Sequence, residues 1–190
     1  MVVENLTDMS LPPPEAAKYA IACGARVSGG TDMKRLSQCL AEDFGLTVRT
    51  TDDVNELLAH LRAPASESEP PAGAGVRAGG FTPPSEYGMK EGPAELERSE
   101  FRGGGIAVAN VGGDRAGYKG VFSDGGHYVV VLGIAPDGRL LIADPGLYSG
   151  KYQKPHRKAA EVVDDLVYAQ PDVLDKDAQN RSPRFTLLQS

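Results

Sequence analysis

Residues able to do chemistry are few in this chain: two cysteines, three histidines and a scatter of carboxylates. Two of them are placed by the pattern around them. His127 opens the run Tyr128-Val129-Val130-Val131-Leu132-Gly133-Ile134, and Asp144 closes the run Leu140-Leu141-Ile142-Ala143. Both runs are apolar, largely β-branched in the first case, and of strand length. Pro136-Asp137-Gly138 between them is a turn signal. In an antiparallel hairpin the start of one strand lies beside the end of the next. The sequence therefore predicts an imidazole and a carboxylate together at one sheet edge. An Asp that holds a His in one tautomer is the orienting half of a nucleophilic triad. The same pair also suits a purely structural His–Asp hydrogen bond, and the spacing alone leaves both readings open.

The other candidates read as structural. Cys23 is followed by Gly24, but it falls at a helix C-terminus, where the negative end of the dipole disfavours a thiolate. Cys39 lies mid-helix beside Leu36 and Leu40, where a free thiol behaves as a small hydrophobe. His60 comes near the end of a helix, and His156 sits in a basic loop with Arg157 and Lys158; both read as surface residues. Tyr148, Lys151 and Tyr152 follow the hairpin and either line a cleft or pack a polar loop on the sheet. Gly125 and Gly126 either let a substrate backbone approach His127 or only form a tight turn. The cysteine and histidine spacings match no metal site, and no cofactor is expected.

The elements that must position this pair follow from periodicity. Met1 to Leu6 has the apolar spacing of the last turns of a helix. Pro12-Pro13-Pro14 starts a second, with Ala16, Ala17, Ala20 and Ile21 on one side and Gly24 as its stop. Gly29-Gly30 is a turn. Thr31-Asp32 caps a helix carrying Met33, Leu36, Leu40 and Phe44, ended by Gly45. Leu46–Thr50 is a short strand, and Asp52-Asp53 opens a helix with Val54, Leu57, Leu58 and Leu61 on one face. From 63 to 104 the composition turns to Pro, Gly, Ser and Glu, with six of the chain's 14 prolines. It reads as an irregular insertion, either a lid or a solvated loop. Gly105–Val111 is a central strand, and Gly146–Lys158 is a polar loop. Val162–Ala169 is a strand broken by charges, Pro171–Leu174 begins a short helix, and Phe185–Leu188 is a closing strand. Helices first and an antiparallel sheet second make an α+β arrangement.

A length of 190 residues with 41% hydrophobic content suits one domain spanning residues 1–190. The net charge of -6, with no basic cluster, argues against a nucleic-acid partner. There is no run of 18 apolar residues that would cross a membrane, and Met1–Leu6 lacks the basic start and apolar middle of a signal peptide. The compartment is left open.

The order of elements, with Gly126-His127-Tyr128 leading the first strand and Asp144-Pro145 closing the second, resembles the papain-like cysteine peptidases of bacteriocin-processing type. Similarity extends through Glu15–Ala20, Gly29-Gly30-Thr31, Leu40–Leu46 and Leu57–Leu61. The resemblance implies a papain-like fold, with N-terminal helices packed on a C-terminal antiparallel sheet. It also implies hydrolysis of peptide or amide bonds, with His127 as general base and Asp144 as its orienting partner. In that family the nucleophile is a Cys followed by Gly at the start of a long helix, with an oxyanion-stabilising Gln just before it. Met1–Leu6 matches the later part of that helix, so the resemblance places both ahead of residue 1, and the chain as written is expected to be inert. A peptide or protein is the expected partner. The groove that the helix fills is a candidate surface for self-association. A non-catalytic domain that keeps the fold to bind a peptide or protein is the alternative.

Overall fold

Asp32 accepts a hydrogen bond from the backbone N–H of Arg35, and Gly45 takes the left-handed conformation (φ 66°). Between that cap and that stop lies helix α2, Met33–Phe44. Asp53 caps α3, Val54–Arg62, in the same way through the N–H of Asn55. The computed structural model describes residues 6, 13–28, 30–63 and 105–190. Within them α1 is Pro13–Ala22, and a small ladder pairs β1 (Arg26–Val27) with β2 (Gly30–Thr31) where the sequence suggested only a turn. Strand β3 is Thr47–Thr51, β4 Ile106–Val111, β5 His127–Ile134 and β6 Leu140–Ala143. Two short 3-10 turns, Lys151–Gln153 and Pro155–Arg157, lie within the polar loop. Strands β7 (Ala160–Val163) and β8 (Leu166–Ala169), helix α4 (Pro171–Ala178) and β9 (Phe185–Gln189) complete the order.

The chain is α+β, with four α-helices among the described residues and a seven-stranded antiparallel sheet in the order β3-β9-β4-β5-β6-β8-β7. The alternation of side chains across the sheet explains why its central strands are apolar throughout, since both faces are covered. Ala107, Ala109 and Val111 of β4 and Val129 and Val131 of β5 point to one core, with Leu57 and Leu61 of α3 and Leu174 of α4. Ile106, Val108 and Val130 point to the other, with Leu40 of α2 and the partly buried Tyr19, Leu36 and Phe44. Leu6, the described residue of the Met1–Leu6 stretch, is helical and packs on that second core.

Two expectations are corrected. The stretch Val162–Ala169 is not one strand but the hairpin β7–β8, and the charges that seemed to break it are its turn. Asp164 and Asp165 both have positive φ (48° and 63°), which Asp tolerates better than most residues. His60 is not at the surface. It is 7% exposed, and its Nε2 faces the carbonyls of Ile106 and Leu188 at 3.1 Å each. Those residues are paired across β4 and β9, so Nε2 carries the proton and ties α3 to that seam. A side chain at Gly105 would strike the His60 ring. His156 is half-exposed, 3.7 Å from Asp124. The expected insertion lies, apart from Ala63, outside the described residues.

Candidate active site

The pairing of Val130 with Ala143 and Val131 with Ile142 fixes the hairpin register. One more step places Asp144 opposite Val129. His127, two residues earlier on the same strand, is then its diagonal neighbour on the same face. The side chains meet there, with His127 Nε2 2.7 Å from Asp144 Oδ1. A carboxylate only accepts, so in the neutral ring the proton is on Nε2 and Nδ1 keeps its lone pair. Nδ1 has no hydrogen-bond partner among the described residues, and the His127 side chain is 24% exposed. The ring is held from behind and open in front.

Asp144 is held much more completely. Its side chain is fully buried, and it accepts from four donors. Besides His127, these are the backbone N–H of Gly146 at 2.8 Å, Tyr152 Oη at 2.7 Å and Lys151 Nζ. Burial opposes ionisation of this carboxyl, but the hydrogen bonds from His127, Lys151, Tyr152 and Gly146 outweigh it and hold it well below the usual carboxylate range. Tyr152, buried against the anion, is pushed above the usual phenol range. Lys151 and Tyr152 thus belong to the site as supports of Asp144, whereas Tyr148 is exposed. Gly146 also leaves room, since a Cβ there would sit 3.2 Å from the His127 ring.

The approach to His127 is a loop pinned at several points. Asp177 of α4, fully buried, accepts from the N–H groups of Val121 and Phe122 and from Tyr118 Oη at 2.8, 3.1 and 2.8 Å. Its burial pushes the carboxyl up, against the pull of those donors. Arg157 of the second 3-10 turn donates to Asp124 at 2.7 Å. Asp114 accepts from the N–H of Gly120 at 3.0 Å. Gly113 and Gly120 have no space for a side chain, because a Cβ would fall 2.4 Å and 2.0 Å from the backbone oxygens of Asp124 and Ser123. The glycine-rich connection is therefore a tightly folded support for the strand that His127 opens.

An open cleft of about 440 Å³ lies in front of the imidazole, with Thr31, Asn110, Gly126, His127, Pro145 and Arg181 in its wall. Neither cysteine lines it. Cys23 and Cys39 are half-buried free thiols, outside any disulfide. A side-chain hydrogen bond with Cys23, then burial, pushes the Cys39 thiol up to about 11, away from a thiolate. No group of three or more His, Cys, Asp or Glu among the described residues is placed to hold a metal ion. No helix among them is long and apolar enough to cross a membrane.

The role of Asp177 had no signal in the sequence, because it acts on residues more than fifty positions away. Lys151 and Tyr152 did have one, in their closeness to the hairpin-closing Asp. Comparison with known proteins adds no identity: no family model, curated protein or solved structure matches the chain.

Proposed function

We propose that this chain is a cysteine-peptidase-like domain of papain-like fold, in which hydrolysis of peptide or amide bonds needs a thiol from outside the described residues. The observation that carries the reading is the His127–Asp144 pair. One ring nitrogen is fixed by a buried carboxylate, the other has no partner among the described residues, and His127 lines an open cleft. That arrangement suits a general base acting through Nδ1. A cysteine thiol would attack the substrate carbonyl carbon while Nδ1 takes the S–H proton. Nδ1 then gives that proton to the departing amine as the C–N bond breaks. Water, deprotonated by the same nitrogen, hydrolyses the thioester and restores the thiol. Asp144 stays ionised throughout and keeps the imidazolium in place.

That thiol is neither Cys23 nor Cys39, which lie away from the cleft. One observation favours a second reading, a non-catalytic domain that binds a peptide in the same cleft: no thiol among the described residues lines it. Expression of the chain in its natural full-length reading frame separates the two. The peptidase reading expects thiol-dependent hydrolysis of a casein or peptide substrate. His127→Ala should lower it by a factor of about 100 or more. Absence of thiol-dependent activity, or activity indifferent to His127→Ala, would leave the binding domain as the better account.

A further inference from the structure

The cleft in front of His127 has an arginine in its wall, and no described residue compensates its charge. Arg181 lies in the connection between α4 and β9, held there by its own N–H to the carbonyl of Ala178 at 2.9 Å. The guanidinium rests on Gly126, the residue before His127. A Cβ at Gly126 would lie 2.5 Å from one terminal nitrogen and 3.3 Å from Cζ. Its Nε is buried and has no hydrogen-bond partner. No side-chain hydrogen bond or ion pair engages Arg181 among the described residues. Other arginines of this sheet end have side-chain acceptors: Arg157 with Asp124, Arg184 with Asp175, and Arg115 with Lys176 O, although Arg115 Nη1 is also buried without a partner.

A planar cation with a buried donor left empty is costly to maintain unless something fills it. None of the residues lining the cleft is acidic, and Asp144, the anion paired with His127, is buried and already takes four donors. In a chain whose net charge is -6, the cleft therefore presents a positive wall. A guanidinium fork matches a carboxylate in two parallel hydrogen bonds. We infer that Arg181 is a specificity residue that binds a carboxylate of the substrate beside the reacting bond. This rests on the cleft being the substrate site of the reading above. The carboxylate is either an acidic side chain within a peptide or the free C-terminus of one. Gly126 serves by lying flat under the guanidinium, and any side chain there would displace it.

Binding to the chain as it stands tests this without any nucleophile. The isotope-labelled protein is titrated with three short peptides: N-acetyl-Ala-Glu-Ala-amide, N-acetyl-Ala-Gln-Ala-amide and N-acetyl-Ala-Ala-Ala with a free carboxylate. NMR signals of the Arg181 Nε–H, Gly126 N–H and His127 ring report occupancy. A saturable shift with the Glu peptide but not the Gln peptide identifies a side-chain carboxylate. A response confined to the third peptide identifies a C-terminus. Arg181→Gln should weaken the effective peptide by about tenfold or more, and Arg181→Lys, which keeps charge but loses the fork, by an intermediate factor. Equal binding of Glu and Gln peptides with no response to the third, no binding of any of the three, or carboxylate-dependent shifts that persist in Arg181→Gln would each overturn the assignment. The comparison of peptides on the unaltered chain does not depend on any variant folding. Loss of carboxylate preference would leave the peptidase reading intact, and a missing nucleophile would leave the carboxylate site intact.

Discussion

Asp144 shares its buried position with a lysine ammonium that is itself only 4% exposed. Removing the charge of one strands the other, and an uncompensated buried ion costs about 3–5 kcal/mol. Asp144→Asn is therefore expected to lower stability by about 3 kcal/mol, measured by urea denaturation, and Lys151→Met added to it should recover part of the loss. An unchanged midpoint in Asp144→Asn would mean that Lys151 escapes to solvent. The acid limb gives a second readout. The folded Asp144 carboxyl is depressed, so as pH falls below about 4 the unfolded chain takes up the proton first. The stability that Asp144 contributes is full above that pH and drains away below it. Asp177 has the opposite sign: its carboxyl is raised in the fold, and its unfavourable contribution at neutral pH is relieved on acidification. The wild-type chain should lose stability between about pH 4 and pH 2 more steeply than Asp144→Asn does. Parallel slopes in the two proteins would remove Asp144 as the cause.

At the level of elements, how much was readable depended on how local the cause was. The hairpin of β5 and β6 was legible because strand pattern and turn chemistry agree, and Gly138 does take positive φ (84°) in its turn. The capping of α2 and α3 was legible for the same reason. The β7–β8 hairpin was misread because two aspartates at a turn look like interruptions when the turn residues are not Asn or Gly. This invites a change: Asp164→Asn with Asp165→Gly installs residues that prefer the left-handed geometry both positions already hold. A gain of about 1 kcal/mol is expected, or roughly 2–4 °C in melting temperature. A fall in melting temperature would show that the aspartate side chains stabilise the turn by contacts of their own. His60 was misread as well. A histidine near a helix end suits the exposed dipole, and nothing local reveals that this end of α3 is pressed onto the β4–β9 seam. Arg181 and Asp177 escaped for the same reason, since their significance lies in loops far along the chain.

For the whole molecule, position in the sheet decides which parts open first. Strands β4 and β5 have neighbours on both edges and cores on both faces, whereas β7 has no partner on its outer edge among the described residues, with Glu161, Val162 and Val163 exposed. Native-state hydrogen exchange should find the amides of β4 and β5 among the slowest and those of β7 much faster. Slower exchange in β7 than in β5 would point to a covered edge. The α+β arrangement itself followed from element order, but the place of β9 did not. A closing strand reads as a margin, and this one is interior.

That placement has a consequence for how the chain is made. Among the described residues strand β3 pairs with the sheet through β9 alone, and β9 is translated after both strands it joins. While the ribosome is still working, the segment bearing α2 and β3 has no strand to pair with in the sheet, and β4 presents an open flank. Only when residues 185–189 emerge do the two halves become one sheet. The wall of the cleft, drawn from both sides of that seam, is among the last features to exist.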